Sequence, residues 1–111
     1  LADTEEPPCN QLSLSGVLCK PPILRRTPLG REICDLMLAV NRRYGRADYL
    51  PVIAWGQLAV RAARLQVGDP LSLEGRVQSR AYRKVLEDGS IQDRVAYEVS
   101  AMHLLEPESA D

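Results

Sequence analysis

Apolar and polar residues alternate at period two through most of this chain, and glycine or proline breaks the alternation at a few points. In REICDLMLAVNRR, Cys34, Leu36, Leu38 and Val40 form one row, while Asp35, Met37, Ala39 and Asn41 form the other. Side chains two apart share a face of a strand, so the first row is predicted to line a core. DYLPVIAW puts Tyr49, Pro51, Ile53 and Trp55 on one face. Pro51 has no N–H to give to a ladder, which predicts an edge or an irregularity there. DPLSLEGRVQSRAY sets Leu71, Leu73 and Val77 in an apolar row interrupted by Gly75, with Ser72, Glu74, Arg76, Gln78, Arg80 and Tyr82 opposite. A glycine inside a strand marks a bulge or a bend.

The remaining segments fit between these. QLSLSGVLCK reads as a first strand stopped by Pro21 and Pro22, and PLG as a turn at Gly30. GQLAVRAARLQVG carries Leu58, Ala62 and Leu65 at helical spacing, Arg61 and Arg64 on the other side, and Gly68 as its stop. EDGS is a hairpin turn at Asp88 and Gly89, and the last strand runs from about Gln92 to Leu105. Three strands, a short helix, then two strands is the order of the five-stranded OB barrel. The expected fold is therefore all-β, an OB-fold barrel with one short helix between its third and fourth strands. The alternatives by pattern are a split sandwich and an α+β sheet.

At 111 residues there is material for one core. The expected domain spans residues 11–105. Residues 1–10, LADTEEPPCN, have the acidic, Pro-bearing composition of a linker or disordered end, and residues 106–111 are a short acidic C-terminus. A start at Leu1 is what a piece of a longer chain would show.

The net charge of −1 at first argues against a nucleic-acid partner. The two ends hold six of the fifteen acids and none of the fourteen bases, so residues 11–105 carry about +5. Twelve of those bases are Arg, whose flat guanidinium both forks onto phosphate and stacks on rings. A soluble surface that merely favours Arg would look the same by composition.

Candidate chemistry is sparse. Cys9, Cys19 and Cys34 lack CxxC spacing and His103 is the only histidine, so neither a metal site nor a disulfide framework is expected. Free thiols in a reducing compartment, and a cytoplasmic location, follow as expectations. No apolar run reaches the ~20 residues that span a bilayer. No phosphate-binding loop or nucleophile with a base is present, and Glu74 and Glu98 are isolated carboxylates suited to pairing with Arg. The reading is a non-enzyme without catalytic residues or cofactor.

The aromatics are the exception to this plainness. The chain has no Phe, four Tyr and one Trp, and three of the five rings fall within NRRYGRADYLPVIAWG. Tyr44 sits among Arg42, Arg43 and Arg46, Tyr49 shares a strand face with Trp55, and Tyr82 lies between Arg80 and Arg83. Single-stranded nucleic acid is held by cations along its phosphates and by rings on which bases stack. The competing use of such rings is to close the barrel ends or to face a subunit.

LSG, TPLGREICDLMLAVNRRYG, DYLPVIAWGQLA, GDPLSLEGRVQSRAY and YEVSAM, in this order, resemble the bacterial single-stranded-DNA-binding protein family across nearly all of residues 11–105. The resemblance implies an OB fold that binds single-stranded DNA with little sequence preference in replication, recombination or repair. It also implies a homo-oligomer, usually a tetramer. The family's four stacking positions map by motif to Tyr44, Tyr49, Trp55 and Tyr82. The arginines that coincide with these rings in the sequence, Arg42, Arg43, Arg46, Arg76, Arg80 and Arg83, are the expected phosphate-binding set. Single-stranded RNA would be served by the same groups. Tyr97 falls outside the platform and is expected to pack on the last strand; Met37 is expected to pack beneath Tyr49 and Trp55. The family's tail, which recruits replication proteins, has no counterpart in EPESAD, so tail-mediated partners are not expected. The chain more distantly resembles primosomal replication protein N, a dimeric relative, and a second OB domain of a tandem protein is a third arrangement. The alternative function is a protein-interaction or primosome-type OB module whose aromatic face meets a partner or subunit.

Overall fold

The computed structural model describes residues 7–105. The acidic C-terminus expected at 106–111 and most of the linker expected at 1–10 lie outside the described residues. Six strands and one helix follow in order: β1 (Leu12–Leu18), β2 (Ile23–Arg26), β3 (Glu32–Asn41), β4 (Ala47–Trp55), α1 (Gln57–Ala62), β5 (Pro70–Val85) and β6 (Ile91–Leu105).

Five of these strands close a ring. β1 pairs antiparallel with β5 from Leu12 to Val17 and, at Val17 and Leu18, also with β3. β3 runs antiparallel to β4, β4 is joined to β6 by a short parallel pairing at Val52–Val99 and Ile53–Ser100, and β5 returns antiparallel to β6. This is the expected OB barrel, with α1 between its third and fourth strands. β2 was not expected as a strand. It forms a hairpin with the first half of β3, where β1 no longer covers that edge, so ILRR gains a ladder.

The period-two rows meet inside the ring. Leu18, Cys34, Leu36, Leu38, Val52, Ala54, Leu71, Leu73, Val99 and Ala101 are buried together, joined by Ala59 and Ala62 of the helix. Each large aliphatic side chain fully withdrawn from water here contributes about 1.5–3 kcal/mol. The helix is shorter than GQLAVRAARLQVG suggests and presents its alanines inward, with Leu58 and Leu65 partly buried at the flanks. Pro51 is accommodated because β4 pairs with β6 only from Val52 onward, so no ladder partner faces it on that side.

Two glycines allow the strands to approach at the seams. A Cβ on Gly16 would strike the carbonyl oxygen of Ala39, where β1 passes from β5 to β3. A Cβ on Gly75 would strike the carbonyl oxygen of Ser100. At Gly75 the register also slips: Glu74 faces His103 but Gly75 faces Ala101, leaving Met102 as an extra residue on β6. The bend is the one expected at Gly75. Beyond it β5 and β6 leave the ring as a two-stranded ribbon, and Val77, expected in the core row, is exposed there.

Replacing Gly75 by Ala is expected to lower stability by about 1–3 kcal/mol, because the new methyl meets backbone rather than a movable side chain. Urea unfolding should show a lower midpoint for Gly75→Ala and a near-unchanged one for Ser79→Ala.

Candidate nucleic-acid interface

The outer rows of the barrel wall follow from the pairing. Across β5, β6, β4 and β3, Arg76 stands beside Ser100, Ser100 beside Ile53, and Ile53 beside Asp35. Tyr49, Pro51, Ile53 and Trp55 run up the outside of β4 with Ala39, Met37, Asp35 and Ile33 as their neighbours on β3. Met37 therefore sits against Pro51 and diagonally from Tyr49, but the neighbour of Trp55 is Ile33, not Met37. Three strand periods separate Tyr49 from Trp55, about 20 Å at ~3.3 Å per residue.

Trp55 is half-buried and shares a shallow groove with Arg31, Leu58, Arg76, Gln78 and Met102. The guanidinium of Arg31 lies over its ring, 4.9 Å from the centroid. Arg31 was not among the expected residues. Its place just before β3, whose Ile33 pairs with Trp55, is the signal that could have found it, once the β3–β4 register is known.

From the groove the row Arg76, Gln78, Arg80, Tyr82 continues outward along β5. The Arg80 guanidinium lies 5.7 Å from the Tyr82 ring centroid and 3.7 Å, Nε to Oε1, from Glu98. Glu98 also accepts a hydrogen bond of 3.0 Å from Gln78 Nε2. The Glu98 carboxylate is thereby offset by its neighbours. Asp35, further round, is held by Arg25 Nε at 2.6 Å, which raises the Arg25 pKa through that hydrogen bond.

Tyr44 occupies the β3–β4 turn and is 90 % exposed, with Gly45 in the left-handed region behind it. The bases expected around it and along β5 divide by role. Arg42 forks onto Asp48, Nη2 to Oδ1 at 2.6 Å and Nε to Oδ2 at 3.0 Å, so it staples the turn. That hydrogen bond holds the Asp48 carboxyl below the usual carboxylate range. Because the folded pKa is depressed, the staple is complete above ordinary carboxylate pH and is lost as pH falls through the folded value. Arg43 and Arg46 carry no ion pair among the described residues, and neither does Arg76. Arg83 lies on the opposite face of the ribbon from Arg80 and Tyr82, paired with Asp93 at 3.3 Å.

Tyr97 does not pack on the last strand as expected. It projects from the same face as Arg83 and is exposed, because the ribbon has left the barrel by that point. Among the described residues no group of three His, Cys, Asp or Glu could hold a metal ion, and no helix is long and apolar enough to cross a membrane. Cys34 is buried, which pushes its thiol up; Cys9 is exposed and Cys19 half-buried.

The comparisons with known proteins agree with this fold. The model of the single-strand binding protein family matches residues 9–105. A single-stranded DNA-binding protein of Thermus thermophilus is 40 % identical over 90 residues, covering 78 % of this chain and 34 % of the relative. The single-stranded DNA-binding protein of Clostridium tetani is 36 % identical over 80 residues, 66 % of this chain and 55 % of its own length. Single-stranded DNA-binding protein 1 of Clostridium acetobutylicum is 33 % identical over 84 residues, 68 % of this chain and 76 % of its own. In structure, the wild-type single-stranded DNA binding protein of Thermus aquaticus superposes with a TM-score of 0.73 at 34 % identity, over 93 % of this chain and 42 % of that one. The chain thus spans about half the length of the first of these clostridial relatives and about a third of the Thermus thermophilus one.

An Arg over an indole at a partly exposed site is worth about 0.5–1 kcal/mol. Removing it in Arg31→Ala should open one face of Trp55, the only tryptophan, to the neutral quencher acrylamide. A steeper quenching plot than wild type is the expected result; an identical one would mean that the stack does not persist in solution.

Proposed function

The chain belongs to the single-strand binding protein family, and on that premise we propose that it binds single-stranded DNA without catalysis and with little regard to sequence. The observation that carries the reading is the shared outer face of Trp55, Arg76, Arg80 and Tyr82, with rings and cations alternating along one wall of the barrel. Unpaired bases stack on Trp55, Tyr49 and Tyr82, and each stacked base contributes roughly 1–3 kcal/mol. Arg43, Arg46 and Arg76, free of ion pairs among the described residues, replace counterions on the phosphates. Tyr44 extends the path at the β3–β4 turn. Arg80 acts in two ways, offsetting Glu98 and lying over Tyr82 so that the ring is held for a base. Arg42 and Arg83 have weaker claims to phosphate because each already holds a carboxylate.

Assembly into a homo-oligomer belongs to the same proposal. It is supported by β1, whose residues Leu12–Gly16 pair with β5 alone and leave their other edge without a strand. Such an edge suits pairing with another copy.

Titrating oligo(dT) at low salt should quench Trp55, and affinity should fall with salt at a log–log slope of about −0.7 per phosphate neutralised. Tyr82→Ala should weaken binding by about 1–3 kcal/mol without changing the mass in solution. Unchanged Trp55 emission in folded protein at saturating oligo(dT) would sink the assignment. Asp48→Asn releases Arg42, and the salt dependence should then steepen by about 0.7. An unchanged slope would mean that the β3–β4 turn lies off the path of the strand.

A further inference from the structure

The groove beside Trp55 holds one side chain whose chemistry the rings and cations do not use. Arg31 and Arg76 can only donate hydrogen bonds, Leu58 and Met102 are apolar, and Ser100 is withdrawn, at 5 % exposed. Gln78 is half-buried in the same wall, and its primary amide both donates and accepts. The groove offers about 440 Å³, within the ~300–1,000 Å³ of clefts that take small ligands.

This amide is held before any ligand arrives. Gln78 stands directly across the ladder from Glu98, and its Nε2 donates to Glu98 Oε1 at 3.0 Å. The Glu98 side chain is 13 % exposed, which limits competition from water for that bond. A carboxylate only accepts, so the amide must turn an N–H toward it, and that fixes which way round the amide stands. One donor and the carbonyl oxygen of Gln78 are left over on a single planar group, whose rotamer freedom has already been given up.

The neighbouring charges decide which part of a nucleotide comes here. Arg76, two residues along the same face of β5 and without an ion pair among the described residues, draws phosphate. The Gln78–Glu98 pair offers phosphate no cation, and a base edge suits it better. Every unpaired base carries a donor beside an acceptor on its Watson–Crick edge: N6–H and N1 in adenine, N4–H and N3 in cytosine, N1–H and O6 in guanine, N3–H and O4 in thymine. A primary amide matches each of these, so such a contact adds affinity without choosing a base.

We propose that Gln78, positioned by Glu98, pairs with the Watson–Crick edge of a base lying in the groove beside Trp55, as a base-tolerant contact added to stacking. The inference rests on the reading that the chain binds single-stranded DNA.

The test compares oligo(dT) with the same oligomer built from N3-methylthymine, which keeps the phosphates and the stacking rings but replaces the N3–H donor by a methyl group. The native chain should bind the methylated strand roughly 2- to 12-fold more weakly per groove occupied, the worth of one hydrogen bond. Gln78→Met should lose affinity for oligo(dT) and bind the two strands alike. Glu98→Ala should bring the ratio between the strands toward one, and Glu98→Gln should restore it, because an amide oxygen still accepts from Gln78. Equal affinities of the native chain for both strands, with Trp55 quenched by each, would overturn the role of Gln78 and leave the DNA reading standing. A ratio that persists in Gln78→Met would do the same, and one that persists in Glu98→Ala would overturn the positioning by Glu98. If neither strand quenches Trp55 in the folded protein, the DNA reading itself has failed and this inference falls with it.

Discussion

The structure depends on the contact between Gly75 and the carbonyl of Ser100. There β5 crosses β6 too closely for any Cβ, and the register slips past Met102. The slip bends the pair, so that one half of each strand closes the barrel and the other half runs free as a ribbon. Without the bend, β5 could not both meet β1 at Leu12–Val17 and hold the hairpin turn at Gly89. The groove beside Trp55 takes its far wall from the same place, since Arg76 directly follows Gly75 and Met102 is the bulged residue.

Aliphatic side chains fill the ring, which leaves the aromatics for the surface. That division has an electrostatic counterpart. Arg25, Arg42, Arg80 and Arg83 are each held near a carboxylate, whereas Arg43, Arg46 and Arg76 are not. The first group shapes the surface and the second supplies its unbalanced positive charge. Exposed ion pairs of this kind add little stability, so their use lies in fixing where side chains point.

Much of the site was legible because strand parity is strict. The faces of β3 and β4, the outward setting of Tyr49 and Trp55, the bend at Gly75 and the turn at Gly89 all follow from spacing and residue type. Parity failed only where it was asked to report burial. Val77 and Tyr97 lie on the core row by count, yet they are exposed, since the row outlasts the barrel that covers it. Arg83 was grouped with Arg80 by nearness in sequence, although an odd spacing of three residues puts it on the other face. The stack of Arg31 on Trp55 joins residues 24 positions apart in sequence, and only the β3–β4 register brings them together.

The sequence by itself determined which side chains share a face, where the chain must turn, and that rings and arginines would be left outside an aliphatic core. These are local matters, set by the two-residue repeat of a strand and by the conformational limits of glycine and proline. The tertiary structure decided how far each face stays covered and which arginine meets which acid or ring. Those outcomes depend on where the barrel closes and the ribbon leaves it, a long-range pairing of β1, β3, β4, β5 and β6 that no local pattern records.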